Sequence, residues 1–257
     1  MDEENRPPCP GSIDDAEWSL RLDLAACYRL FDWFGWCTLI YNHISVRVPA
    51  SEPQFLINPF GLHYGEVTAR NLVKIDIAGR KLDSSPHPVN AAGFVIHGAI
   101  HAARPDAHCI AHTHTTAGMA VACKQSGLRY DNFNAALLYG RVAYHAFEGI
   151  TTDESEKPRL VASLGEKNIL ILRNHGLLVA GLSVHDVLAT MATLQMACEV
   201  QVASDTLAGP NIPIDERVLA AIPVQNAVMA TGRSSPNRLV FDGCRRRAGI
   251  RYENLAG

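Results

Sequence analysis

The chain has 257 residues and a formal net charge of −3, with 47% of its residues hydrophobic and 19% charged. This balance is typical of a globular protein with a sizeable core, and it gives no basic field that would attract nucleic acid. Seven dispersed cysteines without a Cys-x-x-Cys pair argue against a disulfide framework. We recognise no signal peptide and no apolar run near the roughly 20 residues of a membrane span, so we expect a cytoplasmic protein that does not bind membranes.

The first part of the chain predicts one long helix and three short strands. Residues 1–12 are expected to be a disordered lead-in, and Ser12 with Asp15 resembles a capping box that opens a helix to about Trp33. Strands are expected, in chain order, over residues 37–48, 55–57 and 73–77, with a turn at Asn58-Pro59-Phe60-Gly61 before the third.

The second part alternates helices and strands up to residue 208. The helices are expected to start at side chains that can accept hydrogen bonds from free backbone amides, namely Asn90, Thr115, Thr151 or Thr152, and Ser183. Strands are expected over residues 107–114 and 141–146, and on either side of residues 174–176. Residues 13–208 would then form one domain. Residues 209–257 would add a helix over 215–230 and an arginine-rich tail, either solvated or docked on a neighbouring subunit.

Two histidines end the strand that is predicted over residues 107–114. Because side chains alternate between the faces of a strand, His112 and His114 project from the same face, where they form half of a metal site. From this pair alone, a metal site and two histidines that form hydrogen bonds in a polar cleft are equally possible interpretations. A third histidine, His175, stands between two apolar strands and precedes a glycine, so it can turn into a site. Three imidazoles would leave coordination positions open, as in a catalytic metal site.

Several short motifs across residues 16–208 resemble the class II aldolase/adducin family. They are Asn42-His43-Ile44-Ser45-Val46-Arg47, Ile57-Asn58-Pro59-Phe60-Gly61, His97 with Arg104-Pro105-Asp106, Ala111-His112-Thr113-His114, and Arg173-Asn174-His175-Gly176-Leu177. The resemblance implies a single-domain α/β fold, a three-layer α/β/α sandwich with a mostly antiparallel central sheet, and a homotetramer with sites near subunit interfaces. It also implies a divalent metal on His112, His114 and His175, with zinc first and manganese or iron as alternatives.

The sequence departs from the family's sugar-phosphate aldolases at the positions that serve catalysis and phosphate binding. These aldolases carry a glutamate, four residues before the helix histidine, that binds metal and acts as a base. The position four residues before His97 is Gly93, which can do neither. Where the aldolases bind phosphate, this chain has Phe60-Gly61 and Ala91-Ala92, and His43 stands in place of an asparagine.

The remaining site residues are assigned by chemistry and by the same resemblance. The tyrosine that family aldolases use as a proton donor has no clear counterpart, and of the nearby Tyr130 and Tyr139 we take Tyr139 as the catalytic candidate. His97 would orient the substrate or shuttle a proton, which suits the pKa range of an imidazole. The candidates for substrate binding are His43, Arg47, Phe60 and Gly61.

The loss of the base and of the phosphate site limits the reaction that we expect. Retro-aldol cleavage needs a group that removes a hydroxyl proton, whereas decarboxylation beside a metal-chelated carbonyl needs a Lewis acid. We therefore expect a divalent-metal-dependent carbon–carbon lyase, of the decarboxylase or aldolase type, that acts on an unphosphorylated, carboxylate-bearing keto or hydroxyaromatic small molecule. Two alternatives stay open, an Fe(II) oxygenase-like member of the same family and a non-catalytic adducin-like oligomeric module.

Overall fold

The structure is a computed structural model that describes residues 6–50, 52–150, 154–229 and 235–257. In this part of the chain the strands are β1 (His43–Val48), β2 (Gln54–Ile57), β3 (Val73–Asp76), β4 (Cys109–Thr113), β5 (Val142–His145), β6 (Ile169–Leu172) and β7 (Gly176–Gly181). They form one sheet in the order β3-β2-β1-β4-β7-β6-β5. The β5–β6 pair is parallel and the other pairs are antiparallel, which confirms the mostly antiparallel sheet.

Helices cover both faces of this sheet. They are α1 (Asp15–Trp33), α2 (Ala91–Ala103), α3 (Thr116–Ala122), α4 (Phe133–Ala136), α5 (Lys157–Leu164), α6 (Val184–Asp205), α7 (Glu216–Met229) and α8 (Pro236–Arg247). On one face, residues of α1, α3, α6 and α8 share a core with Ala111 of β4. On the other face, α2 and α5 pack around Ile110. Because neighbouring strand residues point to opposite faces, one strand serves two cores. The expected single-domain three-layer sandwich is confirmed.

Three of the predicted helix starts are the observed ones. The side chains of Asn90, Thr115 and Ser183 accept backbone amide hydrogen bonds at the starts of α2, α3 and α6. The predicted start of α1 at Ser12 is wrong. Asp14 caps this helix instead, because its carboxylate lies within reach of the amides of residues 16 and 17.

Two further differences concern the middle of the chain. The strand predicted over residues 37–48 begins only at residue 43, because the carboxamide of Asn42 accepts the amide hydrogen of Thr38 at 2.6 Å and closes a turn. The helix before β6 was predicted to start at Thr151 or Thr152, and both residues lie outside the described part of the chain. The side chains of residues 91 and 92, at the start of α2, also lie outside it.

The C-terminal segment contains a helix that the sequence did not predict. Helix α8 packs on α6, with Phe241 fully buried and Arg245 only 5% exposed. The Arg245 guanidinium stacks over the ring of Tyr252, 4.2 Å from its centroid. This arginine-rich segment is therefore part of the fold of its own chain. None of the helices in the described ranges is both long and apolar enough to cross a membrane.

The expected lead-in, residues 1–12, is described from residue 6 onward. The Arg6 guanidinium pairs with the Asp23 carboxylate of α1 at 2.7 Å, and the indole N–H of Trp18 donates to the carbonyl of Pro7 at 3.0 Å. These contacts place residues 6 and 7 against α1.

Candidate active site

One edge of the sheet gathers the histidines that the sequence singled out. His43 begins β1 and pairs directly with His112 near the end of β4. His114 follows β4, and His175 immediately precedes β7, whose residue Leu177 pairs with the last residue of β4. Because β1 and β7 both run antiparallel to β4, the start of each lies beside the end of β4. Sheet topology thus brings four imidazoles from three strands to one edge.

Three of these imidazoles present their Nε2 atoms to one point. The Nε2 atom of His112 lies 2.6 Å from Nε2 of His114 and 3.2 Å from Nε2 of His175. His112 is buried, while His114 and His175 are half-buried. The carbonyl oxygen of Leu177 accepts the Nδ1 hydrogen of His112 at 2.9 Å, so in the neutral ring the lone pair of Nε2 faces the other two histidines.

The backbone around His175 explains how it reaches this point. Asn174 has a φ of 58°, a left-handed conformation that turns the chain between β6 and β7. The next residue after His175 is Gly176, and a Cβ atom there would collide with the carbonyl oxygen of Thr113. The absence of a side chain at residue 176 therefore lets β7 start close to the end of β4, with His175 opposite His112.

Burial keeps these imidazoles neutral. It lowers the pKa of His114 to about 4 and the pKa of His112 well below its usual range, and it also lowers the pKa of His175. Repulsion between rings in their protonated forms adds to the lowering of the pKa, from His114, His175 and His43 at His112 and from His175 and His43 at His114. Neutral imidazoles are the form that binds a metal ion, so three converging lone pairs fit a divalent ion with nitrogen ligands. This fit rests on the donor atoms alone.

His43 occupies the space that a side chain at residue 93 would need. A Cβ atom at Gly93 would lie 2.6 Å from Cε1 and 2.7 Å from Nδ1 of His43. The His43 ring is 3% exposed, and its Nε2 atom has no hydrogen-bond partner among the described residues. The glycine and the histidine, which the sequence analysis treated as two separate departures, are therefore in contact. An imidazole stands where a carboxylate-bearing side chain at residue 93 would begin.

A chain of hydrogen bonds fixes the proton position on His97. The carbonyl of Ala107 accepts from Nδ1 of His101 at 2.8 Å, so the neutral His101 ring has a lone pair on Nε2. Ser45 lies 2.8 Å from that atom and donates its hydroxyl hydrogen to it. The Ser45 oxygen, 2.7 Å from Nδ1 of His97, must then accept the Nδ1 hydrogen. The lone pair of His97 is left on Nε2, which is buried and has no partner among the described residues.

His97 itself is fully buried and lies behind His43. The centroids of these two rings are 4.2 Å apart, and the His43 ring is 5.7 Å from that of His112. Burial lowers the pKa of His43 to about 4 and the pKa of His97 well below its usual range, so both rings are neutral at pH 7. The rings of His97, His43 and His112 thus follow one another from the core to the edge of the sheet.

The other proposed substrate-binding residues lie at different distances from this cluster. Arg47 is two residues after Ser45 in β1, on the same face of the strand. Its guanidinium donates to the carbonyl of His101 at 2.6 Å, near the C-terminal end of α2. The turn of Phe60 and Gly61 follows β2, whose end lies at the same sheet edge as the start of β1. The amide of Phe60 donates to the carbonyl of Pro88 at 3.0 Å, which holds the turn near the start of α2.

Tyr139 is not brought to the histidines within one chain. It precedes β5, whereas His175 follows β6, and these two strands run parallel, so the residues lie at opposite ends of the strands. The Tyr139 hydroxyl donates to the Glu216 carboxylate of α7 at 2.5 Å, and its ring contacts that of Tyr130.

Ser45 and His101 are site residues that the sequence analysis did not assign. Two signals pointed to them. Ser45 is two residues after His43 and so lies on the same face of the strand, and His101 follows His97 by one helical turn. Neither signal shows that the strand and the helix face each other, which depends on how α2 packs on the sheet.

Comparisons with known proteins agree on the relationship. Residues 22–202 match the family model described as Class II Aldolase and Adducin N-terminal domain. A Pseudomonas aeruginosa protein provisionally named as a class 2 aldolase is 49% identical over 208 residues, which cover 81% of this chain and 80% of that protein. Alpha-adducin from Rattus norvegicus is 50% identical over 201 residues, or 77% of this chain but only 27% of adducin. The solved L-fuculose 1-phosphate aldolase from Glaciozyma antarctica matches with a TM-score of 0.80 and 30% identity, covering 96% of each chain.

Proposed function

Because the chain belongs to the class II aldolase and adducin family, we propose that it is a divalent-metal-dependent carbon–carbon lyase of the decarboxylase or aldolase type. Its substrate would be an unphosphorylated keto or hydroxyaromatic acid. The observation that carries this proposal is the convergence of three neutral Nε2 atoms at the sheet edge, next to two buried imidazoles whose own Nε2 atoms have no partner in the described residues.

His112, His114 and His175 would hold the metal ion. A divalent ion bound by three imidazoles supplies Lewis acidity and leaves coordination positions for substrate oxygens. Zinc fits nitrogen ligands well, and manganese or iron are the alternatives. The hydrogen bond from His112 to the Leu177 carbonyl supports this role, because it orients the ring and keeps its Nε2 atom free of a proton.

His43 and His97 would handle the substrate and its proton. Of the two, His43 has its ring beside that of His112, one of the proposed metal ligands, so we assign it to contact with the substrate. His97 lies behind it, and its Nε2 lone pair would take up and return a proton that a substrate group or a water molecule brings to that atom. A general base of this kind contributes roughly 10²–10⁴-fold to a rate. This pair would replace the glutamate that sugar-phosphate aldolases carry at the position of Gly93.

The groups around the cluster support the proposal of an unphosphorylated substrate. A bound phosphate is usually recognised by arginine, lysine or several backbone amides. Among the described residues, no lysine or arginine forms a hydrogen bond or an ion pair with any of the five histidines at positions 43, 97, 112, 114 and 175. Arg47, the candidate on β1, is instead held against the end of α2.

The 50% identity to alpha-adducin keeps a non-catalytic module as the second candidate. In that case the histidines would be retained without turnover, and the family's tendency to form oligomers would be the conserved property. We include the homotetramer in the proposal. If Tyr139 does serve as a proton donor, it must act in the site of a neighbouring copy, because within one chain it lies at the wrong end of β5.

The test is a substrate screen with metal-loaded protein. Keto acids and hydroxyaromatic acids are assayed for released CO₂ and for carbonyl products, beside a small set of sugar phosphates. We expect turnover on a carboxylate substrate that requires metal and falls at least ~100-fold in both His112→Ala and His97→Ala. Turnover on sugar phosphates alone would contradict the proposed substrate class. Oxygen consumption with Fe(II) would favour the oxygenase, and metal binding without any turnover would favour the module.

A further inference from the structure

A second group of potential metal ligands lies away from the three histidines. Asp32 is in the last turn of α1, Cys37 is in the loop before β1, and His63 caps a short 3₁₀ turn over residues 64–66. The Sγ atom of Cys37 lies 3.3 Å from Nε2 of His63 and 3.5 Å from Oδ1 of Asp32. One ligand atom from each residue lies within 4.8 Å of the other two.

The two distances from the Cys37 sulfur, 3.3 and 3.5 Å, agree with the edges of a tetrahedral zinc site. Bond lengths of about 2.3 Å to sulfur and about 2.0–2.2 Å to nitrogen and oxygen, at tetrahedral angles, put neighbouring ligand atoms roughly 3.4–3.6 Å apart. The donor set itself selects the ion. A thiolate beside an imidazole favours Zn²⁺ and similar borderline-soft ions over Mg²⁺ or Ca²⁺, which prefer oxygen ligands.

The surroundings leave the group accessible to an ion. The side chains of His63 and Asp32 are 45% and 36% exposed, so an ion can enter from solvent and a water molecule can complete its coordination. Within the described ranges, no lysine or arginine forms an ion pair with Asp32. The carboxylate also approaches the backbone closely, because a Cβ atom at Gly65 would lie 2.9 Å from Oδ2 of Asp32.

The same three side chains resemble a nucleophilic cysteine with a base and a carboxylate, but the electrostatics disfavour that role. Burial and the nearby Asp32 carboxylate raise the pKa of Cys37 to about 11. A thiol with a raised pKa is a poor nucleophile at neutral pH, since only the thiolate attacks. A metal ion, in contrast, can displace the thiol proton directly.

We propose that Asp32, Cys37 and His63 form a second divalent-metal site, for Zn²⁺ or an ion of the same class. Binding through Nε2 releases the Cys37 thiol proton to solvent and moves the ring proton of His63 from Nε2 to Nδ1, which accepts the Gly65 amide in the metal-free chain. The shifted proton then faces the Asp32 carboxylate, whose Oδ1 atom lies 3.6 Å from Nδ1, and the Gly65 amide loses its acceptor.

The site joins the end of α1 to the rim of the histidine cluster. Thr38, the neighbour of Cys37, donates its hydroxyl hydrogen to the carbonyl oxygen of His114 at 3.4 Å. An ion on Cys37 would therefore fix the loop that contacts His114, although the three-histidine cluster does not depend on it for any of its ligands.

The experiment is a Co²⁺ titration of the metal-free full-length chain under a non-chelating reductant. Cobalt bound to a thiolate gives a sulfur-to-metal charge-transfer absorption in the near ultraviolet, which a site of three histidines cannot give. Because the three-histidine site also takes up cobalt, we expect the band to saturate at about one equivalent in His112→Ala and at up to about two in the unmodified chain. It should disappear on addition of Zn²⁺ and be absent in Cys37→Ser. Cys123→Ser is the matched control, because Cys123 is an exposed cysteine outside the cluster and its loss should leave the band unchanged.

A second pair of variants separates this site from the proposed active site. His112→Ala should keep the charge-transfer band, and His63→Gln should abolish it while circular dichroism shows a folded chain. If Cys37→Ser does not fold, His63→Gln decides the question. The proposal is overturned by the absence of the band in the unmodified chain, by its survival in Cys37→Ser or His63→Gln, or by its loss in His112→Ala.

Discussion

Replacing Gly93 by alanine should destabilise the protein, although alanine is the better helix former. The added Cβ atom would lie 2.6–2.7 Å from two atoms of the His43 ring. That ring is 3% exposed and is flanked by the rings of His97 and His112, so it has little room to move. Overpacking of this kind costs roughly 1–3 kcal/mol, and the helix propensity of alanine returns at most about 1 kcal/mol. For the middle of the overpacking range the net loss is about 1 kcal/mol, and it reaches about 2 kcal/mol at the upper end.

The assay is urea unfolding at a fixed chain concentration, read as a shift of the midpoint with an unchanged slope. Gly243→Ala is the control, because a Cβ atom at this α8 position would meet no atom closer than 4.0 Å. It should be neutral or slightly stabilising. In a double-mutant cycle, His43→Asn should relieve most of the cost of Gly93→Ala. The reasoning is refuted if Gly93→Ala is as stable as the unmodified chain, or if its cost is the same with asparagine at residue 43.

Three further predictions concern the imidazoles and Tyr139. Ser45→Ala should lower the stability by roughly 1–3 kcal/mol, since it leaves ring nitrogens of His97 and His101 buried without partners. The ¹⁵N spectrum of the His97 ring should then show a mixture of tautomers. A single unchanged tautomer would contradict the hydrogen-bond chain from His101 through Ser45 to His97. Burial holds the pKa of His43 and of His114 near 4, below the 6.5 of an unperturbed histidine. The metal-free chain should therefore lose stability as the pH falls from about 6.5 to 4, by up to ~1.4 kcal/mol per pH unit for each ring. His43→Asn should make the stability less dependent on pH in this range, and an unchanged dependence would contradict the lowered pKa of His43. Tyr139→Phe should leave metal binding unchanged, and a loss of turnover in the assembled protein would show that this tyrosine serves a neighbouring copy.

The sequence predicted those parts of the site that depend on local geometry. His112 and His114 share a face because a strand alternates, and the caps at Asn90, Thr115 and Ser183 follow from side chains that accept amide hydrogens. The contact between His43 and Gly93 could not be predicted in this way, because it joins the start of β1 to the first turn of α2 and depends on how that helix packs.

Helix α8 was missed for a different physical reason. Four of its twelve residues are arginines, so the segment reads as a charged tail, although its few apolar residues lie on one face of the helix. The helix is nevertheless anchored, because Phe241 is fully buried and Arg245 lies over the aromatic ring of Tyr252. Long arginine side chains cover apolar surface with their stems, and a count of hydrophobic residues does not register this contribution.

The central claim is that His112, His114 and His175 hold a divalent ion. Its most direct test is the metal content of reconstituted and dialysed protein in the Cys37→Ser background, where the second proposed site cannot contribute. We expect about one zinc or manganese ion per chain, and none when His112→Ala is added to the same background. Failure of the Cys37→Ser chain to retain any divalent metal, or equal retention with and without His112, would contradict the assignment of this sheet edge as a metal centre.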